Sequence, residues 1–334
     1  MMSPAPSHSR GSSAATADSS LLTFGETMGL LVADQVGELG VVRSLGIGIG
    51  GSESNVAMSA ARLGVAATWI GRVGPDAIGA LIERRVRAAG VETVAIRDMS
   101  FSGIMLRHRP VGSLAHVDYH RAGSAGSHLC PPDIDEGRIR GAGILHVTGI
   151  TPALSETSHG AVCHALTIAR DAGVLISFDV NYRSKLWHAT TARPVLRDLA
   201  RAADIVFAGA DEAQLVLGTP ERDVLTLARG LAALGPTEVI IKDGDRGCLA
   251  LVDGAQLDEP ALRVAVVDSV GAGDAFVAGY LAERLAGAAP QDRLRTAAAM
   301  GAYAVGVPGD CDSLPTRSDL EALRALASKP DVLR

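Results

Sequence analysis

Aromatic side chains are scarce in this chain, at 3% of 334 residues. A core with so few rings must be closed by aliphatic and small side chains. The plentiful alanine and the 38 glycines point to helices packed closely on a sheet. Cysteine is also rare. Cys130, Cys163, Cys248 and Cys311 lie far apart with no C-x-x-C pair, and read as reduced, mostly buried thiols of a cytosolic (cytoplasmic) protein. No apolar run reaches the length of a membrane span. Residues 1–20 are rich in Ser, Ala and Pro and lack a hydrophobic signal core, so they read as a disordered tail. The net charge is −6 and no basic tract is dense enough for nucleic acid. There is no G-x-x-x-x-G-K-[ST] and no H-R-D or D-F-G set, which excludes a P-loop protein and a protein kinase.

A length of 334 residues, 47% hydrophobic and 20% charged, is ample for a large α/β domain. Strand and helix patterns alternate from Leu21 onward. Expected strands are Leu21–Val32, Ala66–Ile70, Ile144–Val147, Val174–Asp179, Ile205–Phe207, Glu238–Lys242, Cys248–Val252 and Val264–Val267. Expected helices include Asn55–Leu63, stopped by Gly64, Asp76–Ala89, capped by Asp76 and ended by Gly90, and Ala275–Leu285. This order implies βαβ units, a mainly parallel sheet with helices on both faces, and ligands beyond the C-terminal strand ends. One stretch breaks the rhythm. Ile104–Arg109 and Leu114–Arg121 flank the turn Pro110-Val111-Gly112-Ser113, a hairpin suited to be a lid over the ligand end. No linker divides the chain, so residues 21–330 read as one domain, with the lid at about 101–121 and part of 33–50.

The sharpest chemical signal is Asp268-Ser269-Val270-Gly271-Ala272-Gly273-Asp274. Small residues opening a helix expose unpaired backbone N–H groups at the positive end of the helix dipole, an anion site. A carboxylate beside such a site repels an anion. Asp274 therefore suits a base that takes a proton from a nucleophile attacking a phosphate. A first-turn carboxylate placed for the dipole alone is the plainer alternative.

Other segments leave two readings open. Gly46-Ile47-Gly48-Ile49-Gly50-Gly51 fits G-x-G-x-x-G, but no acid lies near twenty residues on. A polar floor for a hydroxylated ligand and a flexible turn are equal rivals. Asp179-Val180-Asn181-Tyr182-Arg183 emerges at a strand's C-terminal end. Asp179 could act on a metal or phosphate and Arg183 could fork onto a carboxylate or phosphate, or the segment is simply a turn. Glu212 either orients metal-bound water or opens its helix. Lys242 to Gly247 is either a hairpin turn or a loop edging a nucleotide. On the second hairpin strand Tyr119 and Arg121 share one face, suited to a sugar acid. His116, Asp118 and His120 share the other, more in keeping with a solvated face than with a metal site.

Taken together, these residues resemble the PfkB (ribokinase-like) family of sugar kinases, over about Leu21 to Leu326. Gly50-Gly51 with Asn55, then Gly71-Arg72-Val73-Gly74, Asp76 and Gly79, are similar to its N-terminal signature. Asp268 to Phe276 is similar to its C-terminal one. Arg121-Ala122-Gly123-Ser124-Ala125-Gly126-Ser127, Gly149 to Leu154 and Asp179 to Arg183 with Leu186-Trp187 resemble the members acting on 2-keto-3-deoxygluconate. The resemblance implies a three-layer αβα sandwich with a small β lid, and ATP- and Mg²⁺-dependent phosphorylation of a sugar-acid 6-hydroxyl. It leaves a monovalent cation such as K⁺ open. By the same likeness Asp274 is the base and Gly271, Ala272 and Gly273 form the anion hole. Gly50, Gly51, Asn55, Met105, Tyr119, Arg121 and Arg183 meet the sugar. Lys242, Gly244, Gly247 and Asp268 lie on the nucleotide side, and Glu212 and Asp179 serve a metal through water. Met105 stands where those kinases tend to carry a sugar-contacting tyrosine, and Gly209 where the family has an asparagine. A kinase for a neutral sugar (fructose or ribose) and a non-catalytic sugar-binding regulator are the alternatives. The exposed hairpin edge suggests a homo-oligomer through the lid.

Overall fold

The computed structural model describes residues 19–111, 114–307, 309 and 314–327; most of the expected tail, and Gly112 and Ser113 of the hairpin turn, lie outside the described residues. Short aliphatic runs closed by polar residues or glycine make the strands. The first are β1 (Ser20–Phe24), β2 (Met28–Val36) and β3 (Leu45–Gly50). After them come α1 (Ser52–Arg62), β4 (Ala66–Val73), α2 (Ala77–Ala88), β5 (Glu92–Arg97), β6 (Ile104–Val111) and β7 (Leu114–His120). The middle of the chain gives α3 (Glu136–Arg140), β8 (Ile144–Thr148), α4 (Glu156–Ala172), β9 (Leu175–Asp179), α5 (Ala189–Ala202) and β10 (Ile205–Gly209). The rest supplies α6 (Ala210–Leu217), α7 (Val224–Ala232), β11 (Glu238–Lys242), β12 (Cys248–Val252) and β13 (Ala255–Glu259). It ends with α8 (Ala272–Leu285), α9 (Pro290–Val305) and α10 (Arg317–Ala327).

The main sheet has the order β13-β12-β11-β10-β9-β8-β1-β4-β5. From β11 to β5 every neighbouring pair is parallel, and only β12 runs against the others, pairing antiparallel with β11 on one side and β13 on the other. Successive side chains point to opposite faces. Leu22, Phe24, Phe178 and Val206 pack under α4 to α7, whereas Leu21, Ile144, Phe207 and Ile240 pack under α1 and α8. That makes three layers. Each such buried side chain contributes about 1.5–3 kcal/mol, and a missing ring is replaced by several aliphatic ones. A second sheet, β3-β2-β6-β7, covers the C-terminal strand ends as the lid. The expected hairpin is its β6–β7 half.

Three expectations need correction. Leu21 to Val32 is not one strand. At Gly25 an added Cβ would lie 2.5 Å from Glu53 Cδ and 2.7 Å from Thr151 Oγ1. The bare backbone there lets the chain leave β1 and enter the lid as β2. Ser20, assigned to the tail, belongs to β1. Val264 to Val267 is not a buried strand: Val266 is 73% and Val267 47% exposed. β13 has already taken the edge beside β12, so this run has no strand to pair with. The Val267 and Asp268 amides donate instead to the Val305 carbonyl at the end of α9.

Candidate active site

Polar groups gather where β8, β9 and β11 end and where α1 and α8 begin, all at one edge of the main sheet. Gly271 caps α8 with φ 79°, a left-handed conformation that favours glycine. The chain can then turn sharply from a loop into the helix. The first-turn amides, those of Ala272 and Gly273 among them, have no intrahelical acceptor and sit at the positive dipole end. This is the glycine turn read in the sequence, reached from a loop and not from a strand.

Asp274 is buried in this first turn. Its Oδ1 accepts from Ser52 Oγ at 2.6 Å, and its Oδ2 from Asn55 Nδ2 at 2.9 Å. Asn181, at φ 37°, donates from Nδ2 to Ser52 Oγ at 2.7 Å, so the serine hydroxyl relays one bond into another. Burial pushes the Asp274 carboxyl above its ordinary range. The Ser52 and Asn55 bonds, and then the charges of Arg183 and Lys242, pull it partly back. A carboxylate so held is desolvated and aimed, and the bonds and charges around it favour its ionised form, as a proton acceptor requires.

Beside it, Lys242 Nζ spans both oxygens of Asp179 at 2.8 and 2.9 Å. Burial disfavours the ammonium, but Asp179, Glu212 and Asp274 outweigh that and keep it charged. A Cβ on Gly273 would sit 3.7 Å from this Nζ, which places the cation against the anion turn. Glu212 works as a helix cap: its oxygens accept from the backbone N–H of Tyr182 (2.9 Å) and Gly209 (2.7 Å). With every carboxylate oxygen of Asp179 and Glu212 already partnered, the pair fits Mg²⁺ held through waters and phosphates, the usual mode of that ion. Gly244 and Gly247, at φ 60° and 105°, lie in the β11–β12 hairpin. Asp268 pairs with Arg107 of the lid at 2.8 Å.

A cavity of about 420 Å³ opens between the lid and this edge. Of the residues read in the sequence, Gly50, Gly51, Asn55, Met105, Tyr119, Arg121, Arg183, Gly271 and Asp274 line it. Met105 and Tyr119 face each other across the β6–β7 ladder. Gly50 ends β3, so the Gly46 to Gly51 stretch is mostly strand and not a flexible turn. Gly51 admits no side chain, because a Cβ would lie 2.4 Å from the Glu26 carbonyl. Arg121 is ion-paired with the buried Glu26. His116 and Asp118 form an exposed pair at 3.1 Å. Among the described residues no group of three or more His, Cys, Asp or Glu could hold a metal.

Four more residues line or brace the site: Ser52 and Asn181 fell within segments read in the sequence but were given no individual role, and Glu26 and Lys185 escaped the sequence reading. Ser52 and Asn181 stand one to three residues from positions that were singled out, so local spacing held a signal. Glu26 held none, since its partner Arg121 is distant in the chain. Glu53, next to Ser52, is fully buried. Its Oε1 accepts from Thr148 and Thr151 at 2.7 and 2.6 Å, which locks the start of α1 to the ends of the sheet.

The geometry is that of a phosphotransferase with an alcohol acceptor, and the chain belongs to the pfkB family of carbohydrate kinases, whose family model matches residues 18–317. It is 36% identical to the 2-dehydro-3-deoxygluconokinase of Bacillus subtilis (strain 168), over 90% of this chain and 93% of that protein. To the enzyme of the same name from Thermoproteus tenax it is 35% identical, over 94% and 97%. The crystal structure of 2-dehydro-3-deoxygluconokinase from Thermotoga maritima superposes with a TM-score of 0.85 at 26% identity, covering 93% of this chain and 98% of that one. No described helix is long and apolar enough to cross a membrane.

Proposed function

We propose that this kinase transfers the γ-phosphoryl group of ATP to the 6-hydroxyl of 2-keto-3-deoxygluconate (2-dehydro-3-deoxygluconate). The observation that carries the chemistry is the buried Asp274, fixed by Ser52 and Asn55 where the cavity meets the anion turn. The relatives named above share the substrate.

In this reading the sugar hydroxyl lies against Asp274, which takes its proton as the oxygen attacks phosphorus. The amides of Gly271, Ala272 and Gly273 and the ammonium of Lys242 meet the charge that spreads over the transferring group. Asp179 and Glu212 would hold Mg²⁺ through water, and the ion would supply further positive charge against the phosphates. Gly244, Gly247 and Asp268 border the nucleotide. Gly50, Gly51, Asn55, Met105 and Tyr119 enclose the sugar, Arg183 adds positive charge, and Arg121, paired with Glu26, offers hydrogen-bond donors. Closure of the lid excludes water, which would compete as acceptor.

Two further parts belong to the same proposal. Cys130, Cys163 and Cys248 are all free thiols, in keeping with a reducing cytoplasm. The lid exposes Val36, Leu45, Ile47 and Val111, each at least 40% accessible. A second copy of the chain would cover that apolar face and give a homo-oligomer.

The test is ADP release from the purified enzyme with ATP, Mg²⁺ and, in turn, 2-keto-3-deoxygluconate, its C4 epimer, fructose and ribose. The proposal expects kcat/KM at least tenfold higher for the sugar acids. A neutral sugar in first place would overturn it, and no turnover with any sugar would favour a non-catalytic binding protein.

A further inference from the structure

The charges along the cavity are not equivalent. Arg121 and Glu26 are buried against each other, and Ser124 Oγ donates to the other Glu26 oxygen. The guanidinium is therefore neutralised before any ligand arrives. Arg183 acts on Asp274, which places its charge toward the reacting end. An acid whose carboxylate and reacting hydroxyl sit at opposite ends of the carbon chain must bring its carboxylate to the other end, away from Asp274, which also repels it.

Lys185 lines the cavity and belongs to the loop after β9. Its Nζ donates to the Val117 carbonyl of the lid at 2.7 Å and lies 5.8 Å from the centre of the Tyr119 ring. Arg121 approaches the same ring at 5.7 Å. No carboxylate among the described residues pairs with Lys185. The ammonium thus sits at the seam of loop and lid, oriented by a neutral acceptor and an aromatic face, with its charge uncompensated and two donors to spare.

Resting on the sugar-acid reading above, we infer that Lys185 is the specificity-determining cation of this site. It receives the substrate carboxylate, while Arg121, tied to Glu26, shapes the wall and donates hydrogen bonds. The contact also couples binding to closure, because the same ammonium holds the lid strand.

The test compares wild type, Lys185→Met and Lys185→Arg in steady-state kinetics on 2-keto-3-deoxygluconate and fructose, at two salt concentrations. A charge-assisted bond of this kind implies a roughly ten- to hundredfold fall in kcat/KM for the acid in Lys185→Met. That fall should reside mainly in KM, exceed the fall on fructose by tenfold or more, and be recovered largely in Lys185→Arg. Raising the salt should increase the wild-type KM for the acid more than that of Lys185→Met. Equal losses on acid and neutral sugar, or an unchanged salt response, would make Lys185 a lid tether only and overturn the inference. Failure of the wild type to prefer the acid would strike the parent reading instead, so the two failures are separable.

Discussion

The two ends of the cavity are held by different kinds of contact. At the phosphate end, Asp274, Ser52, Asn55, Asn181, Asp179 and Lys242 are each fixed by short bonds to one another, and they hang on the first turns of α1 and α8 and on the strand ends. At the sugar end, Lys185 is an exposed side chain on a loop, and Tyr119 and Met105 belong to the lid. A proton acceptor must sit within a few tenths of an ångström of its target, and rigid elements supply that. Recognition of a particular sugar needs only complementary charge and shape, which loops can vary without disturbing the base. The chemistry is thus built into the framework, and the specificity is laid over it.

The largest expected effect breaks the phosphate end. Asp274→Asn keeps both hydrogen-bonding neighbours near an isosteric side chain but removes the proton acceptor. We expect kcat to fall on the order of 10²–10⁴-fold, with KM for the sugar acid moved far less and the melting temperature retained. Near-wild-type turnover in a steady-state assay would return Asp274 to its plainer role beside the helix dipole.

A smaller effect sharpens the same end. Ser52→Ala deletes a bond that favours the ionised Asp274, so the carboxyl, already raised by burial, should rise further. A base works only when deprotonated, so activity on the acid side is lost as pH falls through this pKa. The variant should lose it at a higher pH than wild type. In a kcat/KM profile the acidic limb moves to higher pH, and the plateau drops by roughly tenfold for one lost bond to a charged group. An unmoved limb would mean that Ser52 packs against Asp274 without tuning it.

This contrast also explains what the sequence disclosed. The phosphate end was legible because it depends on local rules. Glycines at a helix start, a carboxylate in the first turn and polar residues at a strand end all show within a few residues. The sugar end was legible only in part. Arg121 reads as a free cation until Glu26 is seen folded beneath it, and the importance of Lys185 rests on a lid carbonyl it meets only in the folded chain. Val264 to Val267 misled for a related reason. Its composition suits a strand, yet a strand also needs an edge to pair with, and β13 had already filled the one beside β12.

The smallest effect on chemistry should come from outside the cavity, on the exposed side of the lid. Leu45 and Ile47 lie two residues apart on β3, hence on one face, and both are solvent-exposed. If a second copy covers them, Ile47→Asp buries an unpaired charge in the interface, a change that costs several kcal/mol of association. Sedimentation should show wild type as an oligomer and the variant as a monomer at micromolar concentration. The phosphate end takes no residue from the lid's outer face, so kcat should change by no more than a few-fold, while KM for the sugar rises as the lid loses its support. A variant that becomes monomeric and also loses kcat by a hundredfold would show that the lid holds the base in place as well as the sugar, and the division between the two ends would fail.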